Sequence, residues 1–237
     1  MKLLALETST DACSCALWID GTLQERFEIA PRQHGTLVLS MIEALLAEAG
    51  LRLHQLDGLA FGCGPGTFTG LRMAAGVAQG LAFSAGLPVV PVSSLAALAQ
   101  GASLLSNGSA TERIWVIQDA RMGEVYHSAF LRAPNALVNE STVPRLCRPE
   151  QITPPPGDGR WIIVGSAWSV HHLALAQALV GCDTEVLPDL RYPHAADVAR
   201  LGVDALQSGR TVSADQALPI YLRDEVANRP ATNQTPF

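Results

Sequence analysis

Lysine is almost missing from this chain. Of its 16 Lys and Arg residues, only Lys2 is a lysine. A P-loop lysine is therefore excluded, and a Schiff-base lysine would have only the residue that opens the first strand. Charged residues reach only 16%, and the formal net charge is -6. That balance lacks the clustered cations with which a chain grips nucleic acid by itself. No apolar run is long enough to span a bilayer. The five cysteines, Cys13, Cys15, Cys63, Cys147 and Cys182, are odd in number and form no C-x-x-C pair. Neither a disulfide framework nor a zinc ribbon fits, and free thiols in a reducing compartment are expected. The six histidines, His34, His54, His127, His171, His172 and His194, form no H-x-x-x-H or H-E-x-x-H pair, so no metal is expected. There is no G-x-S-x-G nucleophile elbow. Lys2 is followed by a short apolar run and then Glu7 and Asp11, unlike a signal peptide, so a soluble cytoplasmic protein is expected.

What is present is 237 residues, 48% of them hydrophobic, which is enough chain and apolar content for a substantial core. Leu3 to Leu6 reads as a buried strand running into the polar turn Glu7-Thr8-Ser9-Thr10. Cys13 to Ile19 and Leu23 to Ile29 read as strands joined by an Asp20-Gly21 hairpin turn. Thr36 is a candidate cap for a helix to Ala49, stopped by Gly50. A strand at Leu59 to Gly62, a helix from Thr69 to Ser84, a strand at Pro88 to Val92 and a helix capped by Ser93 follow. This order is that of a ribonuclease-H-like α/β layer. The polar stretch from Gly101 to Thr111 reads as a linker, after which the opening pattern recurs. Ile114 to Gln118 ends at Asp119, Ala120 to Gly123 form a turn, and Val125 to Leu131 return. Glu7 and Asp119 thus take equivalent places, as a duplicated unit would require. Pro149 to Gly159 reads as irregular. Trp161 to Gly165 reads as a strand, Val170 to Val180 and Asp197 to Leu206 as helices, and the chain beyond Asn228 as a disordered tail.

Three features could carry chemistry. The run Gly64-Pro65-Gly66-Thr67-Phe68-Thr69-Gly70-Leu71-Arg72 is glycine-rich and precedes a helix, yet it is neither a Walker loop nor a dinucleotide fingerprint. It suits an anion-facing turn and a tight structural turn equally. Glu7, Thr8 and Ser9 in the first turn could hold a metal–phosphate group or simply bond locally; Asp119 and Arg121 in the second could pair with each other. In the helix after the glycine run, Gly76 and Gly80 lie among alanines, and each costs about 1 kcal/mol relative to alanine. Such a small-residue face packs closely on another helix, either internal or a partner's.

Taken together, these segments resemble the bacterial TsaB family, also called YeaZ. The resemblance rests on Leu6-Glu7-Thr8-Ser9 with Asp11-Ala12-Cys13-Ser14, on Gly64 to Arg72, on Val92-Ser93-Ser94-Leu95 and on Asp119 to Tyr126. Pro219 to Arg223 and Val226-Ala227 complete it. Thr67 replaces the usual Ser, and the tail lacks the lysines often seen there. The resemblance implies an actin-like ATPase fold of two ribonuclease-H-like halves, residues 1–104 and a degenerate 105–227. It implies a non-catalytic scaffold for threonylcarbamoyl transfer to the adenosine beside the anticodon of tRNA. Ser94 and Leu98 stand where the catalytic relative, TsaD, carries two metal-binding histidines. The implied partners are TsaD, the ATPase TsaE and, through that complex, tRNA, with a homodimer when TsaD is absent. The contact implied is helix on helix, through Leu37, Met41, Leu45, Leu71, Ala75, Gly76, Gln79 and Gly80. No tightly bound cofactor is implied; weak ATP or ADP binding would use Glu7, Thr8, Ser9, Gly64, Gly66, Asp119 and Arg121. Alternatives are a small ATPase or kinase-like phosphotransferase using Glu7 and Asp119 around magnesium, a metalloprotease-like hydrolase, and a structural dimer with no pathway role.

Overall fold

A computed structural model describes residues 1–103, 111–157 and 159–223. The linker residues 104–110 and the tail beyond 223 lie outside the described residues. Strands β1 (Lys2–Glu7), β2 (Ala12–Ile19) and β3 (Thr22–Ile29) form an antiparallel meander. Asp20 and Gly21 both take positive φ in the hairpin turn, as the Asp-Gly pair requires. Helix α1 (His34–Glu48) follows; it begins before Thr36, and Gln33 rather than Thr36 is its N-cap. His34 is buried, with Nε2 3.1 Å from the Ala12 carbonyl oxygen, which fixes the helix start on β2. Strand β4 (Gly58–Gly64), helix α2 (Phe68–Ala85), strand β5 (Val89–Ser93) and helix α3 (Ser94–Ser103) complete the first unit. Ser93 does cap α3, its hydroxyl accepting from the Ala96 N–H at 3.3 Å.

The second unit repeats this plan. β6 (Glu112–Asp119) pairs antiparallel with β7 (Val125–Arg132) and parallel with β10 (Trp161–Val164). The first sheet runs β3-β2-β1-β4-β5, and the second, with β8 (Asn139–Glu140) and β11 (Thr184–Val186), runs β8-β7-β6-β10-β11. The two orders superimpose, with β6 in the place of β1. Helix α4 (Ala167–Ala178) takes the place of α2, and helix α5 (Ala195–Gln207) that of α3. Between β9 (Arg145–Cys147) and β10 stands only a short 3-10 turn at Pro149–Gln151, where the first unit has α1. This is the actin-like, ribonuclease-H-like duplication with a reduced second half.

Side chains alternate across β1, so Leu4 and Leu6 face α1 and α2 while Leu3 and Ala5 face α5. Glycine brings α5 very close: a Cβ at Gly202 would stand 2.8 Å from the Ala60 methyl. The last helix of each unit is exchanged. α5 packs its alanine-rich face on the first sheet, and α3 packs Leu95, Leu98, Ala99 and Ala102 on β6, β7 and β10. Residues 211–223 then run back across the first unit as a strap. Val212 bridges to Val89, the Gln79 side-chain amide donates to the Ala217 carbonyl at 3.1 Å, and the Ile220 N–H donates to Cys63 O at 2.7 Å. The strap ends on the second unit, where Arg223 donates to Ala120 O at 3.2 Å and to Glu124 at 2.5 Å.

Candidate functional site

The first turn is committed inward. Glu7 is 1% exposed; its Oε1 accepts the Ser9 N–H at 2.6 Å and its Oε2 accepts the Ser94 hydroxyl at 2.8 Å. Burial raises its pKa against the opposing pull of those hydrogen bonds. A Cβ at Gly62 would overlap the Glu7 carboxylate, so only glycine lets β4 pass beneath it. Thr8 donates to Gly70 O at 2.7 Å, and the Thr67 N–H donates to Ser9 O at 2.7 Å. A Cβ at Gly66 or Gly70 would collide with the Ser9 or Thr8 backbone. The glycine run is therefore a tight packing turn that clamps the start of α2 onto the β1–β2 loop. Burial also pushes the neighbouring Cys63 thiol up to about 12 and the Cys13 thiol up to about 11, so neither is a thiolate nucleophile near neutrality.

The two units meet at a cleft of about 300 Å³. Ser9, Gly66, Asp119 and Arg121 line it; Glu7, Thr8 and Gly64 do not. Glu7 and Thr8 are turned inward for the reasons above, and Gly64 is covered by the strap, where a Cβ would stand 2.6 Å from Ile220 O, so these three do not face the cleft, contrary to expectation. Arg121 and Met122 adopt positive φ at the tip of the second turn. Arg121 reaches across the cleft to Asp11 at 2.8 Å and lies 3.6 Å from Asp119. His171 Nε2 stands 3.2 Å from Asp119 Oδ1. The only break in the helical backbone of α4 falls at His171. The second turn thus pairs with the first turn, rather than only with itself. At the cleft mouth the Arg72 guanidinium stacks on Phe68 at 3.8 Å from the ring centre and donates to the Tyr221 hydroxyl at 3.0 Å.

The helix face expected to meet a partner separates into two sets. Gly76 and Gly80 are exposed, and a Cβ at either would meet nothing within 4 Å, so no helix among the described residues covers them. With Phe68, Arg72 and Phe83 they form one uncovered stripe along α2. Leu37 and Gln79 are half-buried. Met41, Leu45, Leu71 and Ala75 are a correction: all four are buried within the chain, on the α1 and α2 faces that pack on the sheet. Exposed Leu39, Phe68, Arg72 and Phe83 stand where those four were expected.

The sequence model of the family described as tRNA N6-adenosine threonylcarbamoyltransferase, TsaD, matches residues 27–231. The tRNA threonylcarbamoyladenosine biosynthesis protein TsaB of Escherichia coli K12 is 39% identical over 230 residues, covering 96% of each chain. TsaB of Haemophilus influenzae is 40% identical over 238 residues, covering 95% of each. The chain belongs to the TsaB family. A solved structure of YeaZ from Pseudomonas aeruginosa matches the fold with a TM-score of 0.82 at 38% identity, over 93% of this chain and 99% of that one. In this TsaB-family chain, the two positions that the resemblance sets against the metal-binding histidines of TsaD are otherwise engaged. Ser94 holds Glu7, and Leu98 lies in the core on the second sheet. A hydroxyl bound to a buried carboxylate and an aliphatic side chain do not fit a metal ion. Among the described residues no group of three or more His, Cys, Asp or Glu is placed to hold one.

Three site residues escaped the sequence reading, namely Phe68, Arg72 and Tyr221. Phe68 and Arg72 lie within the glycine run, but their meaning comes from Tyr221, which is 149 positions beyond Arg72. No local pattern carries that contact.

Proposed function

We propose that this chain is the non-catalytic subunit of the machinery that transfers threonylcarbamoyl to the adenosine beside the anticodon of tRNA. It pairs with a TsaD-type catalytic subunit through the exposed faces of α1 and α2. Through that pair it serves TsaE and the tRNA, and it pairs with itself when the catalytic subunit is absent. The observation that carries this reading is the uncovered stripe of α2. Gly76 and Gly80 weaken this 18-residue helix, and nothing among the described residues uses the room they leave. A partner helix would. The names of the relatives supply the reaction. The reading includes no tightly bound cofactor: Asp11 and Asp119 hold the arginine of the second turn, leaving ATP or ADP a weak hold at most.

The test uses Gly76→Leu and Gly80→Leu. Both positions are exposed, so the fold should keep its stability or gain about 1 kcal/mol from helix propensity. Affinity for the cognate TsaD-type subunit should fall at least about tenfold, because the added side chain fills the groove. Threonylcarbamoyl transfer, reconstituted with that subunit, TsaE and the carbamoyl-adenylate synthase, should fall with it and should require the wild-type chain. Wild-type affinity in both variants, or equal transfer without this chain, would overturn the reading.

A further inference from the structure

Five of the large apolar side chains that the fold leaves exposed converge on the mouth of the inter-lobe cleft. Phe68 is 40% exposed, Met122 76%, Val170 54%, Ile220 53% and Tyr221 39%, and all five line the cleft. They come from four separate elements: the start of α2, the β6–β7 turn, α4 and the strap. An apolar ring of this kind on a water-facing surface marks an interaction site. Its charges are unevenly matched. Arg121 is held by Asp11 and Asp119, and Arg223 by Glu124. Arg72, fixed beside Phe68 and Tyr221, has no carboxylate within ion-pair distance among the described residues. A stacked, immobilised arginine beside aromatic rings is well suited to bind a carboxylate from outside.

We propose that this mouth is a socket for an extended segment of a partner protein, one that places an aromatic or large aliphatic side chain next to an acidic residue. The apolar side chain enters among Phe68, Met122, Val170, Ile220 and Tyr221, and the carboxylate pairs with Arg72. The cavity of about 300 Å³ takes a side chain or two, whereas a helix is about 10 Å across. The two arginines that line the cleft, Arg121 and Arg223, are both held by carboxylates of this chain, so the run of free cations that an RNA backbone needs is missing and the occupant is a peptide. The socket shares Phe68 and Arg72 with the uncovered stripe of α2 but adds Met122, Val170, Ile220 and Tyr221, which lie off that helix, so it goes beyond the pairing face.

Methionine methyl groups test the two surfaces separately. Met122 sits in the socket, Met73 lies half-buried beside α1, and Met41 is in the core. The full chain, labelled at its methionine methyls, is titrated with the peptide acetyl-Ser-Glu-Phe-Asp-Ser-amide and followed by NMR. The Met122 signal should move and saturate in the millimolar range or below, with Met41 and Met73 unmoved. Replacing the peptide's acids by lysine, its phenylalanine by alanine, or the protein's Arg72 by Glu should each weaken binding at least about tenfold. A Met122 signal that stays fixed, or that moves equally with all three peptides or in Arg72→Glu, overturns the proposal. So does a Met122 shift on deleting residues 224–237 with no peptide present, which would give the socket to the chain's own tail. Loss of catalytic-subunit binding would instead be read at Met73 and bears only on the pairing face.

Discussion

Ser94 shows how one hydroxyl can carry a buried charge. Its Oγ–H donates to Glu7 Oε2 at 2.8 Å, in a site that is 1% exposed. In Ser94→Ala the carboxylate oxygen keeps its burial and loses its partner. The expected cost is about 1–3 kcal/mol in urea unfolding. The cost should also depend on pH. Burial already raises the folded-state pKa of Glu7, and removing a donor to its charged form raises it further. A carboxyl with a raised folded pKa binds more protons folded than unfolded, so stability falls as pH rises through that window. The loss in Ser94→Ala should therefore be larger at pH 8 than at pH 5; an equal loss at both would mean that Glu7 stays ionised throughout. The inward commitment of Glu7 was not legible from the sequence. An acid at the end of a buried strand reads alike as ligand or as core, and the choice is made by Gly62 and Ser94, which come 55 and 87 positions later.

At the scale of the element, α5 shows a helix start held by a different strand's carboxylate. Glu25 on β3 accepts the Ala196 N–H at 3.0 Å, and the His194 imidazole lies 3.0 Å from its other oxygen. Ser14 accepts the Ala195 N–H at 2.9 Å, and Phe27 stacks on His194 at 4.1 Å. Burial lowers the His194 pKa, but its hydrogen bond to Glu25 and the nearby charges of Glu25, Asp197 and Glu7 outweigh this and leave it raised. Burial raises Asp197 from 3.8 to about 6 despite its pairing with Arg200. Both groups therefore bind more protons in the folded chain. The Asp197 contribution to stability falls between about pH 4 and pH 6, and the His194 contribution falls as pH rises above the ordinary histidine range. Asp197→Asn should flatten the first of these slopes in thermal unfolding and make the second smaller without abolishing it, because the Asp197 charge helps to raise His194 and Glu25 stays in place. An unchanged slope below pH 6 would assign it to another carboxyl. The helices themselves were legible from spacing and caps, but their orientation was less so. α1 and α2 carry apolar or small residues on both sides, and periodicity cannot say which side faces the sheet. The resemblance sets Met41, Leu45, Leu71 and Ala75 on the partner side, and periodicity alone could not show that they face inward.

The whole molecule is legible as a duplication because β1–β2 and β6–β7 repeat one pattern around Glu7 and Asp119. The exchange of final helices is not legible, since helix order says nothing about which sheet a helix covers. It nevertheless decides how the chain folds. In a fragment of residues 1–103, the sheet face made by Leu3, Ala5, Ala60 and Val90 loses α5, and Leu95, Leu98 and Ala102 of α3 lose the second sheet. Two apolar surfaces would then face water at once, with only Ala97 of α3 left on the first of them. The strap is lost as well, and with it the bonds to Ala217 O and Cys63 O that hold α2 and β4 from outside. The exchange predicts that the division near residue 104 marks a repeat in the sequence and not an independent folding unit. A fragment of 1–103 should lack a cooperative thermal transition, bind a hydrophobic dye and lose near-UV circular dichroism. Co-refolding with residues 111–237 should restore the thermal transition and the near-UV signal and abolish dye binding, because α3 and α5 each find their sheet on the other piece. A sharp two-state transition in 1–103 alone would show that α1, α2 and α3 suffice for the first sheet and that the exchange is only an ornament of the full chain.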